Sequence, residues 1–272
     1  MVEALIFFAC VAFVGSLIPF RYAHFLAAGG WVAIVAILFT ELPYYFSVNN
    51  FLYPTLALFS IPFLMISLRH LQKREPVLMQ LSRAAALAIL IYAPFAFIPA
   101  LGDWLIDLVV RQVAWVLGIL ELPVTLPVWN IISRNGFRTE IILACTGIQS
   151  IAIMLGVVAG VVTTFRQKVI AFLLIAPVIY ILNILRNTFV IAAYTEQWFP
   201  YFPEISSNGE YGYESFFWAH NVISEILALF VLIGLAYELF VIIPTLGDWA
   251  NDLYTLYRDD VAAGLRWLHL IA

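Results

Sequence analysis

Three reactive side-chain types stand out from an overwhelmingly apolar sequence: the thiol of Cys145, the guanidinium of Arg186 and the imidazole of His220. Cys145 lies in ACTGIQS at 144–150, where Thr146, Gly147, Gln149 and Ser150 crowd the start of an apolar run that continues to Phe165. Arg166 and Lys168 close its far end. A helix over 144–165 would be ~30 Å long, enough to cross a bilayer. Cys145 would then sit in its first turn, where the helix dipole and free N–H groups favour a thiolate. Arg186 lies in NILRN at 183–187, flanked by Asn183 and Asn187 on nearly one helical face. Ionisable residues at membrane depth are functional suspects by default. His220 lies in AHN at 219–221. Ser224 shares its face and is spaced to orient it, while Asn221 and Glu225, four apart, are spaced to pair with each other. A thiolate attacks, a histidine takes and returns a proton, and an arginine stabilises an oxyanion. At a water–membrane boundary that set suits acyl transfer on a membrane-tethered peptide. Taken singly, each has a plainer reading: a structural membrane cysteine, an interfacial snorkelling arginine, and a histidine bonded to a loop carbonyl.

The elements that must position these groups are membrane helices. Of 272 residues, 64% are hydrophobic and 11% charged, with a mean hydropathy of +0.99. A soluble domain would be ~25% charged. The expected fold is an all-α polytopic membrane protein of about seven transmembrane helices, one domain over 1–272. Segments 102–143 and 194–217 are expected as outer-face caps, and 247–272 as a cytoplasmic amphipathic tail. The net charge of −4 says little about partners. Nothing points to nucleic acid. Cys10 reads as a small apolar residue, so no structural disulfide is expected. With Glu3 ahead of the first apolar run and Arg21 after it, no secretory signal is expected either. His24, His70, His220 and His269 are scattered, so neither metal nor other cofactor is implied.

Expected spans are 4–20, 25–41, 51–68, 84–101, 145–165, 169–185 and 217–243. A Pro43 and Asn49-Asn50 loop divides the second from the third, and a basic loop divides the third from the fourth. Residues 103–120 read as an amphipathic helix on the outer surface, with Asp107 and Arg111 spaced to pair and Trp104 and Trp115 at interfacial depth. Asn135-Gly136 between the β-leaning runs 128–132 and 137–143 points to a small hairpin. Tyr44, Tyr45, Trp198 and Tyr201 read as an aromatic belt. With an outside N-terminus, nine of the thirteen Lys and Arg face the cytoplasm: Arg21, Arg69, Lys73, Arg74, Arg83, Arg166, Lys168, Arg258 and Arg266. Cys145, Arg186 and His220 then fall at the outer ends of three consecutive spans.

The blocks ACTGIQS, NILRN and AHN resemble those of the exosortase/archaeosortase membrane proteins, the first being most like the archaeosortase A branch. The resemblance covers roughly 137–225; the N-terminal half agrees only in being hydrophobic. In that family a Cys in A-C-[ST]-G-I, an Arg in N-x-x-R and a basic residue on a later span form the proposed catalytic set, matched here by Cys145, Arg186 and His220. The third position is Arg in some archaeosortases and His in exosortases. The resemblance implies a cysteine peptidase/transpeptidase of the plasma membrane, active on its outer face. It implies partners too: a C-terminal signal on secreted proteins, of Pro-Gly-Phe type in archaeosortase A and Pro-Glu-Pro type in exosortases, and a lipid acceptor. In archaea such proteins include the S-layer glycoprotein. A transporter and a non-catalytic assembly protein are the rivals. Against a transporter, the sequence has no inverted repeat and no pair of broken midplane helices. Oligomeric state stays open.

Overall fold

The computed structural model describes residues 2–48, 50–207 and 209–267. Asn49 of the second loop and His269 of the tail lie outside them. The element order is α1 (Val2–Ser16), α2 (Ala23–Thr40), α3 (Leu42–Ser47), α4 (Leu52–Gln72), α5 (Pro76–Phe97) and α6 (Pro99–Ile119). Strands β1 (Thr125–Val128), β2 (Ile131–Arg134) and β3 (Phe137–Glu140) follow, then a 3₁₀ turn at Leu143–Thr146. The rest is α7 (Ile148–Gly160), α8 (Phe165–Thr195), α9 (Pro203–Ser206), α10 (Tyr213–Phe216), a π-helical stretch Phe217–Ser224, α11 (Glu225–Ile242) and α12 (Pro244–Trp267).

Among the described residues, five helical segments are long and apolar enough to cross a membrane: Ala23–Ser47, Leu52–Gln72, Pro76–Phe97, Phe165–Thr195 and Tyr213–Ile242. Two shorter apolar helices, α1 and α7, stand beside them. Where seven full spans were expected there are thus five long helical segments and two shorter apolar helices, and the physical reason is clearest at α7. Gly147 adopts φ +80° and a Cβ there would meet Asn183 Cβ at 3.2 Å, so the chain turns sharply at a position only glycine fits. The helix starts after it and ends at Gly160, giving 13 residues and ~20 Å instead of ~30 Å. Extended Val161 and a reciprocal Thr164–Gln167 capping box then launch α8, which runs for 31 residues.

Helix α7 packs along α5 through small residues. A Cβ on Gly156 would lie 2.6 Å from the Ala84 carbonyl oxygen and 2.7 Å from Ala88 Cβ, and one on Gly160 would lie 3.1 Å from Ala84 Cβ. This is the G-x-x-x-G geometry by which membrane helices approach without a hydrophobic drive between them. Outward faces stay apolar: Phe59, Met65, Leu173 and Phe230 are all exposed. The interior is dispersed among helix contacts, as a bilayer solvent requires.

Helix α6 carries Asp103, Asp107 and Arg111 and is not among the five. Asp107 and Arg111 pair at 2.8 Å, and Val109, Val110, Val113 and Leu117 are fully buried in a cluster with Ile132, Ile141, Ile184 and Ile191. The strands form one antiparallel sheet in the order β1-β2-β3. Asn135 (φ 51°) and Gly136 (φ 85°) make the two-residue turn between β2 and β3. That turn is fastened to the end of α8: Arg134 pairs with Glu196 at 2.8 Å, and Asn135 Nδ2 donates to the Thr195 carbonyl at 3.2 Å.

Candidate active site

Cys145 sits in the 3₁₀ turn ahead of Gly147, not in the first turn of α7 as the sequence led one to expect. Thr146, fully buried, shapes that turn by donating to the Leu143 carbonyl at 2.7 Å. The turn is held against α8 from the other side. Asn183 Nδ2 and Asn187 Nδ2 each donate to the Cys145 carbonyl at 2.7 Å. Both lone pairs of one backbone oxygen are thereby taken by two amides one turn apart. Gly147 lies against Asn183, so the glycine and the asparagine interlock.

Arg186 is on the same stretch of α8. The sequence suggested that it closes a span, but α8 continues to Thr195, and Arg186 lies ~13 Å short of that end. Its Nη2 donates to His220 Nε2 at 3.2 Å. Cys145, Glu225 and Tyr53 are among its titratable neighbours. His220 belongs to the π-helical stretch, a geometry common at functional sites because it turns a side chain out of the regular helical sequence of faces. Phe216 stacks on its ring with centroids 4.9 Å apart and planes 13° from parallel. Its Nδ1 meets Asn221 Oδ1 at 2.7 Å.

Two expectations for supporting residues are corrected. Ser224 does not hold the imidazole; Asn221 does, and Ser224 is buried against a cavity. Asn221 does not pair with Glu225, because Glu225 Oε1 accepts from Asn50 Nδ2 at 3.1 Å while Asn221 Nδ2 donates to the Val48 carbonyl at 3.3 Å. Gln149 turns to α5, its Nε2 donating to Tyr92 Oη at 3.3 Å. Sequence reading missed Asn50, Tyr53 and Glu225 as neighbours of the site. Asn50 Oδ1 also accepts from the backbone of Leu52 and Tyr53, a capping role that an asparagine ahead of an apolar run does signal. Its link to Glu225, across 175 positions, had no sequence signal.

Below Arg186 a cavity of about 350 Å³ runs between α8 and α11. Asn183, Arg186, Ser150 and Ser224 are its polar residues; Ile179, Leu182, Leu227 and Val231 are among its apolar ones.

With this geometry in view, residues 3–204 match the transmembrane exosortase (EpsH) family. The chain belongs to that family. The matched stretch includes Cys145 and Arg186 and ends before His220. The chain is similar to archaeosortase A of Natronomonas pharaonis, 29% identical over 258 residues, 88% of this chain and 82% of the relative. It is also similar to archaeosortase A of Haloferax volcanii, 31% identical over 204 residues, 66% of this chain and 67% of the relative. No solved structure matches. The family and the apolar helices together make this a multi-pass membrane protein.

Proposed function

We propose that this exosortase-family protein is a cysteine peptidase/transpeptidase of the plasma membrane. It cleaves a C-terminal sorting signal of Pro-Gly-Phe type from secreted surface proteins and passes them to a lipid acceptor. The observation that carries this is the meeting of three sequence-distant blocks: Asn183 and Asn187 grip the Cys145 backbone while Arg186, between them, reaches His220 at 3.2 Å.

At rest Arg186 occupies the His220 Nε2 lone pair. When the scissile carbonyl arrives, the guanidinium turns to its oxygen, and Nε2 is released to take the thiol proton. The Cys145 sulfur attacks the carbonyl carbon, and Arg186 stabilises the resulting oxyanion. As the C–N bond breaks, Nε2 returns its proton to the leaving amine, and a thioester remains on Cys145. An amine or hydroxyl of a lipid head group then attacks the thioester; its proton goes to Nε2 and the thiolate leaves. The acyl group of the surface protein is conserved throughout, and no redox step is needed. Loss of one oxyanion donor costs ~10²–10³ in rate, and loss of a general acid–base ~10²–10⁴.

The test is processing of a signal-bearing substrate, read by mass spectrometry of its new C-terminus. Cys145→Ala is expected to abolish product. Arg186→Lys is expected to fail, because a point charge does not reproduce a planar fork. His220→Ala is expected to be slowed at least ~10²-fold. Near wild-type processing by a well-inserted Cys145→Ala protein would end the proposal.

A further inference from the structure

We propose that Asn221 is a positioning residue: it locks His220 in the tautomer with the proton on Nδ1 and the lone pair on Nε2, and its own orientation is dictated by a backbone carbonyl from the N-terminal half of the chain.

The chain of bonds runs Arg186 Nη2 to His220 Nε2 at 3.2 Å, His220 Nδ1 to Asn221 Oδ1 at 2.7 Å, and Asn221 Nδ2 to the Val48 carbonyl at 3.3 Å. Its two ends have no freedom. A guanidinium has only donors and a backbone carbonyl only accepts. At the Val48 end, the group facing the carbonyl must be the amide NH₂, so the amide oxygen faces the ring. At the Arg186 end, Nε2 must offer a lone pair. Both constraints put the single imidazole proton on Nδ1, pointing at Asn221 Oδ1. Every bond then donates in the same direction, from α8 through the ring to the residue 48 corner, and bonds polarised in series reinforce one another. Phe216 stacked on the ring fixes its plane.

The chemical consequence follows from which nitrogen is left with a lone pair. The nitrogen beside Arg186 is Nε2, the one that must accept the thiol proton under the peptidase proposal, on which this inference rests for its kinetic arm. The opposite tautomer would put a proton on that nitrogen and leave it unable to act as base. The inference also gives the corner at residue 48, nearly a hundred positions before Cys145, a role in the site. The corner after α3 supplies the Val48 carbonyl, and Asn50 two residues on ties the same corner to Glu225 on α11.

The first test needs no substrate. The protein labelled with ¹⁵N-histidine contains four histidines, and the spectrum of His220→Gln identifies the His220 signals. The expected result is a protonated Nδ1 and an unprotonated Nε2 in the resting protein, with the preference kept in Arg186→Leu, where Asn221 alone directs it, and lost in Arg186→Leu/Asn221→Leu. Protonated Nε2 in the resting protein, or the same tautomer in Arg186→Leu and Arg186→Leu/Asn221→Leu, would overturn the proposal. The second test is kinetic. Residues that orient a reactive imidazole typically contribute ~10–100-fold. Asn221→Leu, similar in size but without polar atoms, is expected to lose that factor in kcat with KM unchanged. Asn221→Asp keeps an acceptor for Nδ1–H and is expected to fall between wild type and Asn221→Leu. If the side chain only filled space, Asn221→Leu would equal or exceed Asn221→Asp, and that order would refute the positioning role. Should Cys145→Ala still process substrate, the peptidase reading falls while the ¹⁵N result on His220 stands by itself.

Discussion

The Cys145 carbonyl accepts from two asparagine amides at 2.7 Å each, and that doubling sets how the site responds to mutation. A carbonyl with one donor left is still satisfied, whereas one with none carries the ~1–3 kcal/mol penalty of an unpaired buried group. Asn183→Ala and Asn187→Ala alone are therefore expected to reduce processing several-fold. The double variant is expected to lose more than the product of the two single losses. A double-mutant cycle on processing rate measures this, and strict additivity would show that the amides act independently of the thiol's placement. Thr146 plays the complementary part within the turn, since its hydroxyl is spent on Leu143 and is not free for chemistry.

At the scale of elements, the position of the thiol depends on how closely α7 approaches α5. Gly156 and Gly160 leave no room for a side chain against Ala84 and Ala88. Gly156→Leu would drive a branched side chain into the α5 backbone, so α7 must shift and take the 143–146 turn with it. The expected outcome is inserted protein with processing reduced at least ~10-fold, in keeping with the strong dependence of catalysis on sub-ångström placement. Gly234→Leu on α11, where an added Cβ meets nothing within 4 Å, is the control and is expected to process normally. Equal activity of both variants would show that the α5–α7 contact does not position Cys145. The π-helical stretch works at the same scale. It belongs to the helix whose next segment, α11, walls the cavity, so His220 is aimed by backbone geometry before Asn221 and Phe216 refine it.

For the whole molecule, the helices sort polar groups to two ends. At one end Arg74 donates to the Arg21 carbonyl at 3.1 Å, and Asp260 of α12 takes His70 at 3.0 Å and Arg69 at 3.8 Å. Tyr257 bonds Ser67 there, and its burial pushes the phenol pKa up. At the other end lie Val48, Asn50, the 143–146 turn and Asn221. The excess of Lys and Arg in the first group argues for a cytoplasmic basic end and an outer site. In a variant lacking native cysteines, Ser47→Cys is expected to react with a membrane-impermeant maleimide in intact cells. Lys73→Cys is expected to stay unlabelled until the membrane is opened. The reverse pattern would invert the topology and put the site in the cytoplasm.

Much of this was legible in one sequence. Composition and apolar runs decide that the chain is a membrane protein, because nothing else buries so few charges over so many residues. The Asn135-Gly136 pair marks a turn, since both residues tolerate positive φ. The residue types at 145, 186 and 220 announce their chemistry, and the spacing of Asn183 and Asn187 announces a shared face. Tertiary structure alone decided what those groups touch. The length of α7 was hidden because the helix stops at Gly160, five residues short of Phe165, within an apolar stretch whose hydropathy gives no sign of a break. The partner of Glu225 was hidden for a different reason. Asn221 at four residues was the nearest candidate by helical spacing, but the π-helical stretch moves it off that face and Asn50 arrives from a corner 175 positions away. Local pattern records what one helix can offer to its own neighbours. Which donor meets which acceptor across helices depends on how closely the backbones pack, and here glycines set that distance.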